Sequence, residues 1–234
     1  MNRLRQVSTV VLLSLLFAVF ARAQVTFTTI DFPGAAGTEV LGINTAGDVV
    51  GAYYLTPYLW HGFKYSAGQF TPIDYPGAQE TLAFGINDSG MIVGWYDTGQ
   101  GLSTYGFQYD GKTFTPLQYG NQVITEAKGI NNAGQIVGLT GNSNAQLGLQ
   151  VTGGRLTIIE PPGKSNYFYA AANGINNLGD VVGDMLLYTS NFEGFRYTNG
   201  NFEKLDYPGA TSTYLYGIND SGIMVGYYAY SNAA

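Results

Sequence analysis

The chain has 234 residues, of which 16 are acidic and 10 basic, giving a formal net charge of −6, and it contains no cysteine. With so few basic residues the chain lacks the cationic surface that binding to nucleic acids or anionic membranes requires, so these functions are excluded. The lack of cysteine excludes disulfide bonds. The 33 glycines and 19 tyrosines, with only 11% charged residues, are typical of a turn-rich β protein and not of a disordered chain.

The first 23 residues have the features of a secretory signal peptide. Arg3 and Arg5 form a basic start, residues 10–20 are almost entirely apolar, and Ala21-Arg22-Ala23 is a small-x-small cleavage site. The apolar run is about half of the ~20 residues that a membrane span needs, and no later segment is long enough. We therefore expect a secreted protein, extracellular or periplasmic, whose mature domain covers residues 24–234 and has no membrane span. Loss of the three arginines in the signal peptide changes the formal net charge from −6 to −9.

One ten-residue motif then occurs five times, beginning at Gly42, Gly85, Gly129, Gly174 and Gly217. The copies read GINTAGDVVG, GINDSGMIVG, GINNAGQIVG, GINNLGDVVG and GINDSGIMVG, and they are spaced 43, 44, 45 and 43 residues apart. A fixed period of this length is typical of propellers, solenoids and other repeat arrays.

Each copy of this motif predicts a β-hairpin, which we name the GIN hairpin. In the second copy, Asn87 and Gly90 fit the first and fourth positions of a type I turn. The asparagine side chain can bond the backbone two residues on, and glycine adopts the left-handed conformation without strain. The apolar and partly β-branched runs at residues 82–84 and 91–93 predict the two strands.

A second repeated unit lies between the GIN hairpins. It runs from His61 to Gly77 in the first repeat, and its echoes begin at Tyr105, Leu147 and Glu193. Each unit is predicted to be two strands around a short glycine-containing turn. The segment 26–34 repeats only the second of these strands. One period thus holds four short strands, named a and b in the GIN hairpin and c and d in the second unit.

Four antiparallel strands in every ~40–50 residues predict a propeller blade. The sequence supplies five a, five b and five d strands but only four c strands, so either one of five blades is incomplete or the chain is a fragment of a longer array. The predicted fold class is therefore all-β, a five-bladed repeat β-propeller with no helix outside the signal peptide. The chain begins with strand d and stops after strand b, an offset that would allow strands from the two termini to close the ring together. An open meander or a β-solenoid is the alternative architecture.

Polar residues that recur at one position of the repeat are assigned to structure. The asparagine of each GIN motif belongs to this group, as do Asp31, Asp74 and Asp206 in the second unit. A catalytic group is needed once in a protein, whereas a turn or strand-end contact is needed in every blade.

The topology separates two faces of the predicted propeller. The tight a–b and c–d turns lie on one face, and the variable b–c and d–a connections lie on the other. Variable loops on a rigid scaffold are where binding sites are usually found, and aromatic rings in such loops stack on sugars and on partner side chains. The candidate ligand-binding residues in or beside these connections are Tyr58, Trp60, Tyr105, Tyr167 and Tyr169.

The GIN hairpin followed by the triplet His61-Gly62-Phe63 resembles the bacterial extracellular HAF-repeat family, which is named for a His-Ala-Phe triplet at the start of strand c. The resemblance covers residues 27–230 through all five hairpins. The triplet is degenerate here, with glycine in place of alanine in all four copies and histidine in only one. The resemblance implies an exported bacterial repeat protein, and it implies no catalytic activity for this chain.

The sequence offers little support for catalysis. His61 is the only histidine, and neither a calcium-loop motif nor a nucleophile motif such as G-x-S-x-G is present. We therefore predict no metal site, no cofactor and no catalytic residue. Three acids that depart from the repeat pattern, Asp97, Asp184 and Glu193, are placed in b–c loops. Glycoside hydrolysis by a pair of carboxyl groups among them is the alternative.

These features together predict a secreted, non-catalytic repeat protein that acts as a binding or interaction module for a carbohydrate or protein ligand. A propeller glycoside hydrolase that uses loop carboxylates is the second hypothesis. Two loop carboxylates that converge on one pocket would favour the enzyme, and aromatic clefts without such a pair would favour the binding module.

Overall fold

The computed structural model describes residues 26–56, 59–100, 104–117, 124–142, 145–162, 167–187 and 191–230. Within these ranges the chain forms 18 β-strands and no helix, so the predicted all-β class is confirmed. The predicted signal peptide lies outside the described residues.

The strands group into four complete blades and one two-stranded blade. Blade 1 contains β1 (Gly37–Ile43), β2 (Val49–Tyr54), β3 (Trp60–Ser66) and β4 (Gln69–Ile73). Blade 2 contains β5 (Glu80–Ile86), β6 (Ile92–Asp97), β7 (Thr104–Tyr109) and β8 (Phe114–Pro116). Blade 3 contains β9 (Ile124–Ile130), β10 (Ile136–Asn142), β11 (Ala145–Thr152) and β12 (Arg155–Ile159). Blade 4 contains β13 (Tyr167–Ile175), β14 (Val181–Leu187), β15 (Phe192–Thr198) and β16 (Asn201–Leu205), and blade 5 contains β17 (Ser212–Ile218) and β18 (Met224–Ala229).

Each complete blade is an antiparallel meander in which neighbours in sequence are neighbours in the sheet. The first strand of each blade is interrupted by a bulge just before the GIN turn, as between Ala83 and Gly85 in blade 2. Blades 3 and 4 are also joined by a single parallel bridge between Gln146 and Tyr169. The up-and-down order a-b-c-d therefore follows the prediction.

The GIN turn has the predicted local geometry. Gly90 has a φ of +83° and its N–H donates to the carbonyl of Asn87 at 3.0 Å. The side-chain Oδ1 of Asn87 accepts from the N–H of Ser89 at 3.1 Å and from the N–H of Met91 at 3.0 Å. One asparagine side chain thus closes its own turn from inside.

The same asparagines also join neighbouring blades, which the sequence alone did not predict. The Nδ2 of Asn87 donates to the carbonyl of Asn131 in the next turn at 3.1 Å. The equivalent bonds run from Asn44 to Asn87 at 3.3 Å, from Asn131 to Asn176 at 3.0 Å and from Asn176 to Asn219 at 3.1 Å. The five GIN turns therefore form one continuous chain of hydrogen bonds, which we name the asparagine chain.

All five GIN turns surround a single central cavity of about 230 Å³. Its lining comes from the isoleucine, the asparagine and the following residue of every GIN motif. Five repeats around one axis constitute a propeller, since a solenoid would place its first and last repeats at opposite ends.

The first glycine of the GIN motif lies where the inner strands of adjacent blades approach each other. A Cβ atom on Gly174 would lie 2.7 Å from the carbonyl oxygen of Tyr216 and 3.0 Å from the Cα of Gly217. A Cβ atom on Gly217 itself would meet only the side chain of Val225, at 3.2 Å. The glycine is therefore required by blade-to-blade contact, and blade 5 has no such neighbour on its far side.

The core lies between the blades. Val50 and Ile73 of blade 1 pack against Ala83, Ile92 and Phe107 of blade 2, and comparable clusters join blade 2 to blade 3 and blade 3 to blade 4. Full burial of a side chain such as Phe107 stabilises the fold by about 1.5–3 kcal/mol. Burial on both faces explains why the central strands are apolar without alternation.

The ring is open between blade 5 and blade 1. Residues 26–32 form no strand, so the predicted N-terminal strand d is wrong as a strand. Its end is nevertheless placed as in the other repeats, because the ring of Phe32 stacks on Tyr53 with centroids 3.6 Å apart, as Tyr75 does on Tyr96. In the part of the chain that the structure describes, no strand c lies between β18 and residues 26–32, so this segment has no neighbouring strand to hold its backbone extended.

Candidate functional site

The inner strands line a channel along the propeller axis. Equivalent positions of the five first strands bound a cavity of about 300 Å³ in this channel, and the residues there are Leu41, Phe84, Lys128, Asn173 and Tyr216. Blades 1 and 2 contribute apolar side chains to this position, whereas blades 3 to 5 contribute side chains with polar groups. The channel is therefore polar only on the side of blades 3 to 5.

A buried carboxyl group lies on that polar side. Asp184 is only 4% exposed, and its Oδ1 accepts from the Nδ2 of Asn173 at 2.5 Å. The same Nδ2 also donates to the carbonyl of Leu215 in blade 5 at 3.0 Å. Burial raises the pKa of Asp184 to about 6, although the bond from Asn173 and the charge of Lys128 act in the opposite direction.

The three acids considered for glycoside hydrolysis do not lie in loops, contrary to the sequence-based placement. Asp97 is the last residue of β6, Asp184 lies inside β14, and Glu193 is the second residue of β15. The runs were assigned to loops because their sequences vary between the repeats, but the strands continue through these residues.

Two of these acids point to opposite faces of blade 4. Asp184 pairs with Gly194, and its neighbour Met185 pairs with Glu193. Paired residues share a face and successive residues alternate, so the side chains of Asp184 and Glu193 diverge. They therefore do not flank one scissile bond. Among the described residues, no group of three or more His, Asp or Glu side chains is arranged to hold a metal ion.

A cavity on the face of the variable connections lies between blades 4 and 5, and we name it groove 4. It is a cavity of about 240 Å³ bounded by the start of β15 and the connection from β16 to β17. Its lining includes Asn191, Phe192, Glu193, Asp206 and Ser212. An aromatic residue, an amide, two acidic residues and a hydroxyl residue thus border one shallow pocket. Phe192 and Glu193 are successive residues of β15, so their side chains point to opposite faces, and the ring of Phe192 packs against Tyr214 of blade 5 with ring centroids 4.6 Å apart.

The polar groups of groove 4 are held in place by defined contacts. The ammonium group of Lys204 pairs with Glu193 and lies 3.2 Å from the carboxylate of Asp206. Both acids raise the pKa of Lys204, Glu193 more strongly, so the lysine keeps its charge. The backbone N–H of Phe192 donates to the Oγ of Ser212 at 3.1 Å, which fixes the start of β15 against blade 5.

Blades 1 and 2 repeat these contacts at the start of strand c, and we name the surface formed by Trp60, His61, Asp74 and Glu80 groove 1. Trp60 occupies the position of Phe192, and its backbone N–H donates to the Oε1 of Glu80 at 3.3 Å. His61 takes the place of Glu193, and its Nδ1 lies 3.1 Å from the Oδ1 of Asp74. An aromatic residue at the first position of strand c and a polar pair on the following residue are thus common to grooves 1 and 4.

The sequence-predicted aromatic residues are not gathered in one place. Trp60 lies in groove 1, edge-on to Tyr54 with ring centroids 4.8 Å apart. Tyr105 stacks on Tyr96 in blade 2 at 5.4 Å. Tyr169 contacts the ring of Phe192 edge-on at 6.0 Å, and burial raises its pKa above the ordinary tyrosine value. Tyr58 and the side chain of Tyr167 lie outside the described residues.

Sequence reasoning missed Phe192, although the signal was present. Phe192 ends a variable connection just as Trp60 does. The criterion that selected Trp60, an aromatic residue in or beside a variable connection, therefore also selects Phe192. Asp206 was assigned to structure because it recurs. The structure shows that a recurring acid can also line a pocket when the residues around it differ between blades.

Comparison with known proteins places the chain among β-propellers. No protein-family model matches it, and no curated protein matches its sequence. A structure of prolyl endopeptidases aligns with a TM-score of 0.55 and 13% identity over 84% of this chain and 35% of that one. The β-propeller domain of the Trilobed protease from Pyrococcus furiosus, which has an open velcro topology, gives 0.48 and 13% over 73% and 55%.

A fucose-binding lectin from Aleuria aurantia gives a TM-score of 0.49 and 9% identity over 83% of this chain and 71% of that one. The chain thus spans about half of the Pyrococcus domain and about a third of the peptidase. At such identities the likeness concerns the fold, and the ligand has to be inferred from the grooves themselves. In the described part of the chain no helix has the length and apolar character needed to cross a membrane.

Proposed function

We propose that the chain is an exported, non-catalytic propeller that binds carbohydrate on the face of its variable connections, with groove 4 as the principal site. The observation that supports this most is the lining of groove 4, to which Phe192, Glu193, Asp206 and Ser212 all contribute. Sugars present apolar C–H faces that stack on aromatic rings and hydroxyl groups that donate to carboxylates and hydroxyls. Residues of both kinds border the groove.

Glycoside hydrolysis is less well supported by the same groove. It needs one carboxyl group that is protonated and a second that is ionised. Lys204 contacts both Glu193 and Asp206, so one cation lies between the two carboxyl groups of the groove. This arrangement offers acceptors for hydroxyl groups and leaves no separate second carboxyl group in the groove lining to act as the acid.

Binding to a glycan array, followed by calorimetry with the selected glycan, tests the proposal. We expect Phe192→Ala to lower the affinity about tenfold or more, because loss of a stacking ring costs on the order of 1.4 kcal/mol. Glu193→Gln is expected to weaken binding further than Glu203→Gln. Glu203 is an exposed residue of β16 that lies outside the groove lining, and the two changes remove the same charge.

Thermal unfolding of each variant separates a folding defect from a binding defect. Absence of binding to every glycan on the array contradicts the proposal, as does binding that neither Phe192→Ala nor Glu193→Gln alters. Release of reducing sugar from the bound glycan would instead establish the hydrolase.

A further inference from the structure

Tyr75 and Tyr96 form a face-to-face pair of rings across the interface between blades 1 and 2. Their ring centroids are 3.6 Å apart and their planes differ by 3°. Tyr75 lies in the connection that follows β4 of blade 1, and Tyr96 lies in β6 of blade 2. Aromatic pairs ordinarily prefer offset or edge-to-face arrangements with centroids about 4.5–7 Å apart. The fold, and not the preference of the rings, therefore sets this geometry.

The same geometry recurs at two other places in the repeat. Tyr207, which follows β16 of blade 4, stacks on Tyr228 of blade 5 with centroids 3.8 Å apart and an angle of 3° between the planes. Phe32 stacks on Tyr53 of blade 1 at 3.6 Å and 3°. Two of these three stacks thus have a phenol on both sides, whereas the third has a phenol on one side only.

The two hydroxyl groups of the Tyr75 pair lie at the same end of the stack. Burial, followed by the hydroxyl group of Tyr75, raises the pKa of Tyr96, which requires the two hydroxyl groups to be neighbours. When parallel rings lie at van der Waals distance with almost no lateral offset, equivalent carbons of the two rings face each other. The carbons ortho to the two hydroxyl groups are therefore adjacent, and these are the carbons at which phenoxyl radicals couple.

We propose that Tyr75 and Tyr96 are a site of oxidative modification, at which hydrogen peroxide and a haem peroxidase join the two rings into dityrosine. Each phenol gives up one electron and one proton, and the two phenoxyl radicals form a C–C bond between their ortho carbons. The proton on each of these carbons then moves to the phenol oxygen, which restores both aromatic rings. Overall the pair loses two hydrogen atoms, and one molecule of hydrogen peroxide is reduced to two of water.

The link ties neighbouring blades covalently in a chain that has no cysteine. Both side chains are half-buried, so the stack is not closed off from solvent. Tyr75 lies outside the strands, so its ring can tilt as the bond forms while Tyr96 stays in β6. Tyr207 and Tyr228 form a second site of the same kind between blades 4 and 5. The inference uses no residue property of groove 4 and does not depend on the proposed function.

The experiment treats the full mature chain, at low protein concentration, with a haem peroxidase and hydrogen peroxide. We expect monomeric protein with dityrosine fluorescence, and mass spectrometry should find two peptides joined through Tyr75 and Tyr96 and lighter by two hydrogen atoms. The midpoint of thermal unfolding should rise by roughly 5–10 °C, because the link closes a loop in the unfolded chain. Treatment in urea, where the rings are not held together, is expected to give about tenfold less of this link or lower still.

Two variants test the geometry of the stack. Tyr75→Phe keeps the ring and removes one phenol, so the link at Tyr96 should disappear while the link between blades 4 and 5 remains. Phe32→Tyr supplies the phenol that the third stack lacks, and it should add a link between position 32 and Tyr53. Thermal unfolding before treatment checks that both variants fold. A folded Phe32→Tyr protein that gains no link would contradict the proposal.

Three further results would overturn it. The first is absence of the link between Tyr75 and Tyr96 under conditions that couple free tyrosine. The second is links that form only between chains, or equally well in urea. The third is preferential joining of Tyr96 to Tyr105, whose ring centroid lies 5.4 Å away at an angle of 30°. Glycan binding is measured separately, so failure of this proposal leaves the proposed function untouched, and the reverse also holds.

Discussion

Replacing Asn87 with alanine is expected to lower the free energy of unfolding by about 3–4 kcal/mol. The change removes the two turn bonds that Oδ1 accepts and the bond that Nδ2 donates to Asn131. A net hydrogen bond contributes about 1 kcal/mol, and a buried group left without its partner costs more. Asn87 is 6% exposed, so water compensates little. Urea unfolding followed by tryptophan fluorescence measures the loss.

The last turn of the asparagine chain provides a matched control. Asn219 accepts the same two turn bonds, from Ser221 and Ile223, but it lies at the open end of the ring and is exposed. We expect Asn219→Ala to cost about 1–2 kcal/mol, because only the turn bonds are lost. Asn87→Asp keeps the acceptor and loses the donor, so it should be clearly more destabilising than Asn219→Asp. Equal losses at both positions would mean that the link between blades contributes nothing.

The asparagine shows what the sequence could and could not predict. A short-range role was predictable, because the spacing of Asn87 and Gly90 is enough to specify the turn. The link to Asn131 was not, because it depends on two turns 44 residues apart lying side by side. The same holds for the first glycine of the motif, which is explained only by the approach of neighbouring inner strands at Gly174 and Tyr216.

The second large effect concerns Asp184 and pH. Its pKa in the folded protein is raised to about 6 from the ordinary value of 3.8. Below pH ~4 the group is protonated in both states and has no effect on stability. As the pH rises towards 6, the unfolded chain ionises first, so the wild-type protein loses stability. The loss amounts to about 2–3 kcal/mol by pH 7, at about 1.4 kcal/mol for each pKa unit.

Asp184→Asn removes this titration while keeping an acceptor for Asn173. The difference in unfolding free energy, variant minus wild type, should therefore rise by about 2–3 kcal/mol between pH 4 and pH 7. A constant cost of the new amide group does not affect this rise. Denaturant unfolding at a series of pH values gives the difference directly.

Asp180→Asn is the control for the same experiment. Asp180 is also buried, but a hydrogen bond from Thr198, with further help from Arg196, lowers its pKa. It is ionised in both states above pH ~4.5, and its difference curve should be flat over that range. A flat curve for Asp184→Asn as well would show that Asp184 is solvated or firmly paired, and the description of the channel would be wrong.

The sequence alone could not predict that Asp184 is buried inside a strand. An acid in a run of otherwise apolar residues looks like the start of a loop, because an isolated charge is rarely buried. Here Asn173 and the channel-facing Lys128 make burial tolerable, and both belong to positions where other repeats have Leu41 or Phe84. The burial of Asp184 therefore depends on Asn173 in its own blade and on Lys128 in blade 3, and the pattern of a single repeat does not reveal such a combination.

The grooves show the same limit. Aromatic residues beside variable connections were the right class of candidate, and Trp60 indeed lies in groove 1. However, Tyr105 continues an aromatic stack within its blade, and Tyr169 is held against Phe192. Which ring faces a pocket depends on the side chains of the next blade, such as Ser212 and Glu80, and these lie 20 residues further along the chain.

The most direct test of the radial arrangement is the distance between the first and the last GIN turn. The chain has no cysteine, so Ala46→Cys and Ser221→Cys place exactly two spin labels on these exposed turns. Both turns border one central cavity, and we expect electron paramagnetic resonance to give a single short distance. A linear stack of five sheets about 10 Å apart would instead separate the labels by roughly 40 Å, and that result would contradict the propeller.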